Sequence, residues 1–248
     1  MVEFLRLLNE GWEYTLRNPG IMVIPVIASI ISLDSVVRVV NFHGNYVGIR
    51  ITLPEALPTL WSFVSPPGGG LSTPLSLLFG LLVAVISAYL SAGFLGSING
   101  NEFSWDGFLN TANRYFLEFL KFGLLLFLVS LGVGTLVFLG PPGLIFAFAV
   151  VIGIGYFLYA TPYLIILQGV KAEEAIGKSL NLALSGGEYL EYAVKYGGLT
   201  LLLSIPMTLI TVNLKVVGLL LGLLIVAPLA LMLSRATLVF FKDLSPQG

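Results

Sequence analysis

Two long stretches of this chain carry no charged side chain, and they constrain its fold more than any other feature. Residues 56–101 and 122–170 contain no Asp, Glu, Lys or Arg. An apolar run of about 18 residues or more is long enough to cross a bilayer as a helix. Because lipid offers the backbone no hydrogen-bond partners, spanning segments are helices or closed barrels. The sequence therefore predicts an all-α, polytopic transmembrane bundle.

The composition argues against several classes of protein. Charged residues make up 10% of the chain, against about 25% in soluble domains. The formal net charge of −1 offers no basic patch for displacing counterions, so no nucleic-acid partner is expected. The chain has no cysteine and a single histidine, His43, which removes thiolate chemistry and the paired histidines of membrane zinc proteases. We therefore expect no enzymatic activity, no metal site and no cofactor.

Hydropathy and helix-breaking residues predict about six spans in a single integral membrane domain, residues 1–248. The third and fourth spans are separated by Gly-Pro-Pro-Gly at 140–143, which cannot continue a helix. The one substantial loop, residues 41–73, comes after the first span. The predicted spans are 19–40, 74–99, 119–139, 143–169, 194–212 and 216–240.

The distribution of Lys and Arg predicts the orientation of these spans. With the N-terminus inside, nine basic residues fall on the inner side, and three fall on the outer side, namely Arg38, Arg50 and Lys215. Membrane proteins carry an excess of basic residues in their cytoplasmic loops. We expect a multi-pass protein of the cell (plasma) membrane, with both termini in the cytoplasm and the loop 41–73 outside.

A short amphipathic segment that carries charge precedes three of the apolar regions, at residues 3–17, 104–118 and 171–187. Apolar residues recur at helical spacing on one side of each segment, with polar residues on the other. Such helices lie flat at the membrane interface with the apolar face down. The predicted topology places all three on the inner face.

These leading segments favour a threefold repeat of interfacial helix plus hairpin. Each contains a Leu-Asn pair, at residues 8–9, 109–110 and 180–181. The alternative is that any inner loop between hairpins has to be polar on one side and apolar on the other. The possible units are 1–101, 102–169 and 170–248.

The segment 162–170 (PYLIILQGV) is followed by Glu174-Ala175-Ile176 and Ser179. This pattern resembles the YciC-like proteins and the membrane domains attached to glycerophosphoryl diester phosphodiesterases. In those families a proline-containing helix end precedes an inner amphipathic segment. The resemblance, which covers about residues 160–185, implies a six-helix membrane architecture. It does not imply phosphodiesterase activity, because this chain has no such domain.

The second predicted span carries a ridge of small side chains, one every four residues. Small residues allow helices in lipid to approach closely and gain dispersion energy. We expect this ridge to pack inside the bundle, with a homo-oligomer seam as the alternative. Its members are Ser76, Gly80, Ala84, Ala88, Ala92, Gly96 and Gly100.

A few polar and aromatic residues are candidates for functional, lipid or partner contacts. Asp34 and Arg38 are four residues apart on the first span, a spacing that allows an ion pair. That pair is either structural or part of a substrate path. Tyr159 and Tyr163, beside Pro162, form either an interfacial aromatic belt or a lipid-facing groove.

Further candidates lie near helix ends and on the third leading segment. Gln168 and Arg235 are expected to anchor helix ends. Glu174, Lys178 and Asn181 are expected to face the cytoplasm, opposite an apolar stripe that contains Ala175, Ile176 and Ala183. Mixed charge on that face favours a protein partner over attraction to anionic lipid.

Two functional classes are consistent with these features. The first is a non-enzymatic membrane module that binds lipid or a protein partner on the cytoplasmic face, and the amphipathic segments favour it. The second is a small transporter or channel subunit for a small solute or lipid, a class in which internal repeats are common. No helix shows a polar interruption at mid-membrane, so the sequence favours the first class. A polar cavity reaching the midplane would favour the second.

Overall fold

In the computed structural model, which describes residues 4–68, 74–100 and 102–244, the protein is an all-α bundle. Short 3₁₀ turns lie at Pro19–Met22 and Val137–Leu139. The helices are α1 (Phe4–Arg17), α2 (Val23–Ile31), α3 (Leu33–Val40), α4 (Leu60–Phe63), α5 (Pro74–Asn99), α6 (Trp105–Leu136), α7 (Pro141–Leu158), α8 (Thr161–Gln168), α9 (Ala172–Ser185), α10 (Glu188–Asn213) and α11 (Lys215–Leu244).

Five stretches of the described chain are long and apolar enough to cross a membrane, which confirms the polytopic class. They are Phe79–Asn99, Trp105–Leu136, Pro141–Gln168, Glu188–Asn213 and Lys215–Leu244. A sixth span is reached only if Phe4–Arg17 and Pro19–Ile31 are counted together, and these two are bent by 97°. The predicted span 19–40 is therefore wrong as a single straight helix.

The first predicted span is interrupted at Ser32, between α2 and α3. In a continuous helix the Ser29 carbonyl would accept a hydrogen bond from the backbone of residue 33. Here it accepts one from Trp61 Nε1 at 2.7 Å. The Ser29 hydroxyl also accepts from Leu60 N at 2.8 Å. The interruption is therefore stabilised by contacts with α4, and it places a polar break within the predicted first span.

The second leading segment is not a separate interfacial helix, which corrects the expectation for 104–118. It is continuous with the next span in α6. The other two leading segments are separated from their apolar regions by Asn18-Pro19-Gly20 and by Gly186-Gly187, whereas no glycine or proline lies between 108 and 122. A 32-residue helix is about 48 Å long at 1.5 Å per residue, well beyond a bilayer core.

Helix α9 has the faces that the sequence predicted. Ala175 is fully buried and Ala183 nearly so, and Ile176 is partly buried, while Glu174 and Asn181 are exposed. We call the end of the bundle that contains α9 the α9 end, and the opposite end, where α10 meets α11, the Asn213 end.

The small-residue ridge packs inside the protein along its half nearer the α9 end. Ala88 and Ala92 are buried. A methyl group on Gly96 would lie 1.9 Å from Thr111 Cγ2, so α5 and α6 are in close contact there. Gly80 is partly exposed, and the side chain of Ser76 lies outside the described residues. Ala88 and Ala92 therefore pack within one chain and are not available for contact with a second copy of the protein.

The contact between α1 and α11 rests on a glycine. A Cβ on Gly11 would lie 2.3 Å from the Met232 carbonyl oxygen. This oxygen belongs to the backbone, so it cannot move aside as a flexible side chain can. We expect Gly11→Ala to lower the free energy of unfolding by about 1–3 kcal/mol through overpacking, measured as thermal stability in detergent. The matched control is Gly123→Ala in α6, where nothing lies within 4 Å of the new methyl. Equal behaviour of the two variants would contradict this packing.

Candidate functional site

The loop 41–73, predicted from the sequence as a connection on the outer side, enters the bundle over part of its described length. Its described part runs along α10. Tyr46 N donates to Asn213 Oδ1 at 2.8 Å, and Asn213 Nδ2 donates back to the Tyr46 carbonyl at 3.0 Å. Further along, Thr52 N donates to Thr200 Oγ1 at 3.4 Å, and that hydroxyl donates to the Thr52 carbonyl at 3.0 Å. Residues 69–73 lie outside the described part of the chain.

The segment is fully extended and antiparallel to α10. Tyr46 to Thr52 is a step of six residues, which covers about 20 Å of extended chain at most. Their partners Asn213 and Thr200 are thirteen residues apart, which is also about 20 Å along a helix axis. The two lengths agree, so the segment follows α10 without slack for about half the length of that helix.

The chain turns near residues 54–59 and returns toward the Asn213 end. Thr52 Oγ1 donates to the Ser62 carbonyl at 2.7 Å, which ties the two arms together. A capping box between Thr59 and Ser62 starts the short helix α4. Ser65 N then donates to Thr208 Oγ1 at 3.1 Å. We call residues 46–65 the re-entrant segment.

A row of hydroxyls on α10 makes this path possible. Thr200, Ser204 and Thr208 are spaced four residues apart, so they share one face of the helix, and all three are fully buried. They accept hydrogen bonds from the backbone of Thr52, Arg50 and Ser65, respectively. Unpaired backbone groups inside a membrane protein cost several kcal/mol each, and these side chains remove part of that cost.

Glu55 lies at the turn of the re-entrant segment, deep in the bundle. Its Oε2 accepts a hydrogen bond from Ser62 Oγ at 2.5 Å. Its carbonyl accepts one from the Tyr163 hydroxyl at 2.8 Å. The residue as a whole is half-buried. Within the described ranges, no three acidic or histidine side chains lie close enough together to hold a metal ion.

Arg50 lies halfway along the extended arm. Its backbone N donates to Ser204 Oγ at 3.1 Å, about 13 Å from the Asn213 end at 1.5 Å per residue. The Arg50 side chain is exposed. The backbone of an arginine therefore lies beside the middle of a predicted span, where ionisable groups are costly and usually functional.

Asp34 and Arg38 form the ion pair that their spacing allows. The distance from Arg38 Nη2 to Asp34 Oδ2 is 2.6 Å. Arg38 Nη1 also donates to the Gly68 carbonyl at 2.6 Å, so it fixes the returning arm at the Asn213 end. Asp34 is largely exposed. The contacts favour the structural interpretation of this pair over a substrate path.

Tyr159 and Tyr163 point into the bundle, not toward an interfacial belt or a lipid-facing groove. Both side chains are buried, at 4% and 0% exposure. The Tyr159 hydroxyl donates to the Tyr189 carbonyl at 2.8 Å. The Tyr163 hydroxyl donates to the backbone carbonyl of Glu55. Both rings contact Phe241 of α11, with centroids 5.5 Å apart. Tyr163 therefore positions the turn of the re-entrant segment.

The structure brings Gln168, Glu174 and Lys178 together at the α9 end. Lys178 Nζ donates to Gln168 Oε1 at 2.7 Å and pairs with Glu174 Oε1 at 2.8 Å. Asn181 is exposed on α9. Partly exposed pairs of this kind contribute little stability, about 0–1 kcal/mol. The group braces α8 against α9 and leaves a polar face.

Arg235 joins three helices. Its Nη1 donates to the Ile98 carbonyl of α5 at 2.5 Å. Its guanidinium carbon lies 4.6 Å from the centroid of the Tyr14 ring in α1, a cation–π geometry. Glu10 is 3.9 Å away. The side chain is only 14% exposed, so its described contacts are those of an anchor.

Comparison with known proteins gives no independent assignment. No protein-family model, curated protein or solved structure matches this chain. The resemblance of residues 160–185 to the YciC-like and phosphodiesterase-linked membrane domains therefore stays a prediction. The function has to be argued from the geometry.

Sequence reasoning missed the re-entrant segment and the positions of Glu55 and Arg50 along it. One local signal was present. Thr200, Ser204 and Thr208 place three hydroxyls at a spacing of four in an otherwise apolar helix, and such a row needs partners. The identity of those partners is a tertiary property, because they lie about 150 residues earlier in the chain.

Removal of one hydroxyl tests the pairing. We expect Thr200→Val to lower the free energy of unfolding by about 1–3 kcal/mol, because both backbone groups of Thr52 lose their partner. Thr135→Val is the matched control, since the Thr135 hydroxyl is exposed and donates to Gly132 of its own helix. Thermal unfolding in detergent measures the difference. Shifts of equal size in both variants would argue against a structural role for the row.

Proposed function

We propose that this chain is a non-enzymatic membrane protein that holds and passes a small polar solute through a water-filled cleft along the re-entrant segment. This is the transporter-like class of the two that the sequence left open. One observation carries the proposal. The backbone of the extended arm lies beside the middle of α10, and the Arg50 side chain on it is exposed.

Lipid is a poor neighbour for such an arm. Irregular backbone at membrane depth is tolerated where protein buries it or where it lines a water-filled cavity. Ile49 and Ile51 are 60% and 54% exposed, so protein does not bury this edge within the chain. An arginine at the centre of a span costs at least about 2.5–3.5 kcal/mol when it faces lipid. Water along the arm removes both penalties.

Two helices form the walls of the proposed cleft. A methyl group on Gly155 of α7 would lie 3.1 Å from Leu53 Cδ1. A methyl group on Gly197 of α10 would lie 3.8 Å from Ile51 Cγ2. The arm thus lies between α7 and α10, and the absence of side chains on these glycines leaves it room.

A second candidate function is supported by the polar face of α9. Glu174 and Asn181 are exposed there, and their neighbourhood carries both signs of charge. This face suits a protein partner in the cytoplasm, or a lipid headgroup layer, as the leading segments suggested. The two functions are compatible, because the cleft and α9 occupy different parts of the bundle.

Chemical labelling tests the cleft. The chain has no cysteine, so single-cysteine variants need no background removed. We expect Ile49→Cys and Ile51→Cys to react with a hydrophilic thiol reagent in membranes. Leu202→Cys is the matched control, because Leu202 lies at the same level of α10 and is 70% exposed on its outer face. Labelling of Leu202→Cys alone, or of none of the three, would exclude a water-filled cleft.

We further propose that the protein lies in the cell membrane with both termini in the cytoplasm, on the strength of the nine-to-three excess of basic residues. His43 and Ser185 are exposed and belong to opposite ends of the bundle. We expect His43→Cys to label from outside intact cells with an impermeant reagent, and Ser185→Cys to label only after permeabilisation. Labelling of both from one side would overturn the orientation.

A further inference from the structure

The carboxyl of Glu55 lies at the turn of the re-entrant segment, where α4 and α8 meet that segment. The residue as a whole is half-buried, but the groups that hold it are enclosed. Ser62, which donates to the carboxyl, is 3% exposed, and Tyr163, which donates to the Glu55 carbonyl, is fully buried. Ionisable groups inside a membrane bundle are costly, and acidic ones often take part in proton transfer.

One hydrogen bond holds this carboxyl, and it suits the neutral acid. Ser62 Oγ accepts from Thr59 N at 2.9 Å, so its only proton is directed to Glu55 Oε2, at 2.5 Å. Oε1 accepts no hydrogen bond from the described residues. A carboxylate can accept about four, so an ionised Glu55 would be poorly satisfied. A proton on Oε1 removes the charge and keeps the Ser62 bond, because Oε2 then accepts as a carbonyl oxygen.

The helices around the turn supply no counter-ion. α2, α4, α7 and α8 contain no charged residue. The titratable groups that face Glu55 from α8 and α10 are two buried tyrosines, Tyr163 and Tyr196, which are neutral at ordinary pH. Tyr156, the titratable residue of α7, donates to the Ala183 carbonyl of α9 instead. Burial without a counter-ion favours the neutral form of a carboxyl.

The charged residues of α10, α11 and the segment itself do not change this balance. Those of α10 lie within its first eight residues, and those of α11 lie in its terminal turns, apart from Arg235. Arg235 donates to the Ile98 carbonyl of α5. Arg50 is the nearest basic residue to Glu55 along the sequence. Its charge favours ionisation of Glu55, but its side chain is exposed, so water screens that attraction.

We propose that Glu55 is a proton-binding residue, which carries a proton while the turn lies between the helices and releases the turn toward the cleft when it ionises. The proton comes from cleft water and forms an O–H bond at Oε1. On ionisation it returns to water, and the carboxylate recovers its hydration by moving outward. The proposal rests on the proposed cleft and names the ion that regulates it.

Movement of the turn would reach the helices on both sides of it. Thr52 Oγ1 donates to the Ser62 carbonyl, so the two arms of the segment are tied together beside Glu55. Tyr163 belongs to α8, which follows the break after α7. Trp61 Nε1 donates to the Ser29 carbonyl beside the break between α2 and α3. The charge of Glu55 is thereby coupled to two helix interruptions that border the segment.

Infrared spectroscopy of the protein in lipid membranes tests for the proton. The C=O stretch of a protonated carboxylic acid is distinct from the bands of carboxylates. We expect such a band at neutral pH, and we expect Glu55→Gln to remove it. Glutamine keeps an oxygen that accepts from Ser62, so this variant should fold normally. Glu173→Gln is the matched control and should retain the band, because Glu173 is exposed and pairs with Lys121.

A pH titration of the same band tests the hydrogen bond from Ser62. Its hydroxyl stabilises the ionised form more than the neutral form, because hydrogen bonds to charged groups are stronger. Ser62→Ala should therefore move the midpoint of the Glu55 titration to higher pH, by about one unit or more. Ser130→Ala is the control and should leave the midpoint unchanged, since Ser130 donates to the Phe127 carbonyl of its own helix.

Cysteine labelling across a range of pH tests release of the turn. Leu57 is 8% exposed, and Ile49 on the extended arm is 60% exposed. The ratio of labelling rates, Leu57→Cys over Ile49→Cys, corrects for ionisation of the thiol itself. We expect this ratio to rise by up to about tenfold for each pH unit above the Glu55 midpoint. Adding Glu55→Gln should make the ratio independent of pH.

Three results would overturn the proposal. If Glu55→Gln removes no protonated-acid band at neutral pH, Glu55 is an ionised structural group. If the band is present but the labelling ratio does not change with pH, Glu55 is a permanently neutral structural acid. If the ratio follows sodium concentration at constant pH, the carboxyl binds a metal cation instead. In each case labelling at Ile49 and Ile51 still reports on the cleft, so the two proposals fail separately.

Discussion

The pairing of side-chain hydroxyls on α10 with the backbone of an extended segment determines most of what is distinctive in this bundle. A helix satisfies its own backbone, but an extended chain beside it cannot. Thr200 and Asn213 each exchange two hydrogen bonds with one residue of the segment, which imitates the contact that a neighbouring strand would make. Polar side chains thereby allow a non-helical stretch to lie among apolar helices, where it would otherwise be too costly.

Other features of the fold depend on that placement. The return arm brings Trp61 against α2, where its indole N–H donates a hydrogen bond to the Ser29 carbonyl at the interruption of the first predicted span. The turn brings Glu55 to Tyr163 of α8, so the break between α7 and α8 is coupled to the same segment. The Glu55 carboxyl then lies among the helices, where it accepts a hydrogen bond from Ser62. The proposed cleft is a consequence of this backbone path.

The sequence predicted the features that depend on local pattern. The long apolar helices, the buried stripe of α9 with Ala175 and Ala183, and the inward position of Ala88 and Ala92 all depend on spacing along one helix. The re-entrant segment was not predicted, because its partners are distant in the chain, and hydropathy treats residues 41–68 as a polar connection. The same limit explains the error at Ser32, since Trp61 cannot be placed against Ser29 by periodicity.

The order in which the chain is made bears on the re-entrant segment. Thr52 leaves the ribosome 148 residues before Thr200, so its hydrogen-bond partner does not yet exist when the first helices insert. The segment has to wait at the membrane surface, or in the insertion machinery, until α10 is in place. Its entry is then a late step of assembly that closes a long loop, which carries an entropic cost. A chain that ends before α10 would retain its early helices but lack the hydroxyl row that holds the segment inside.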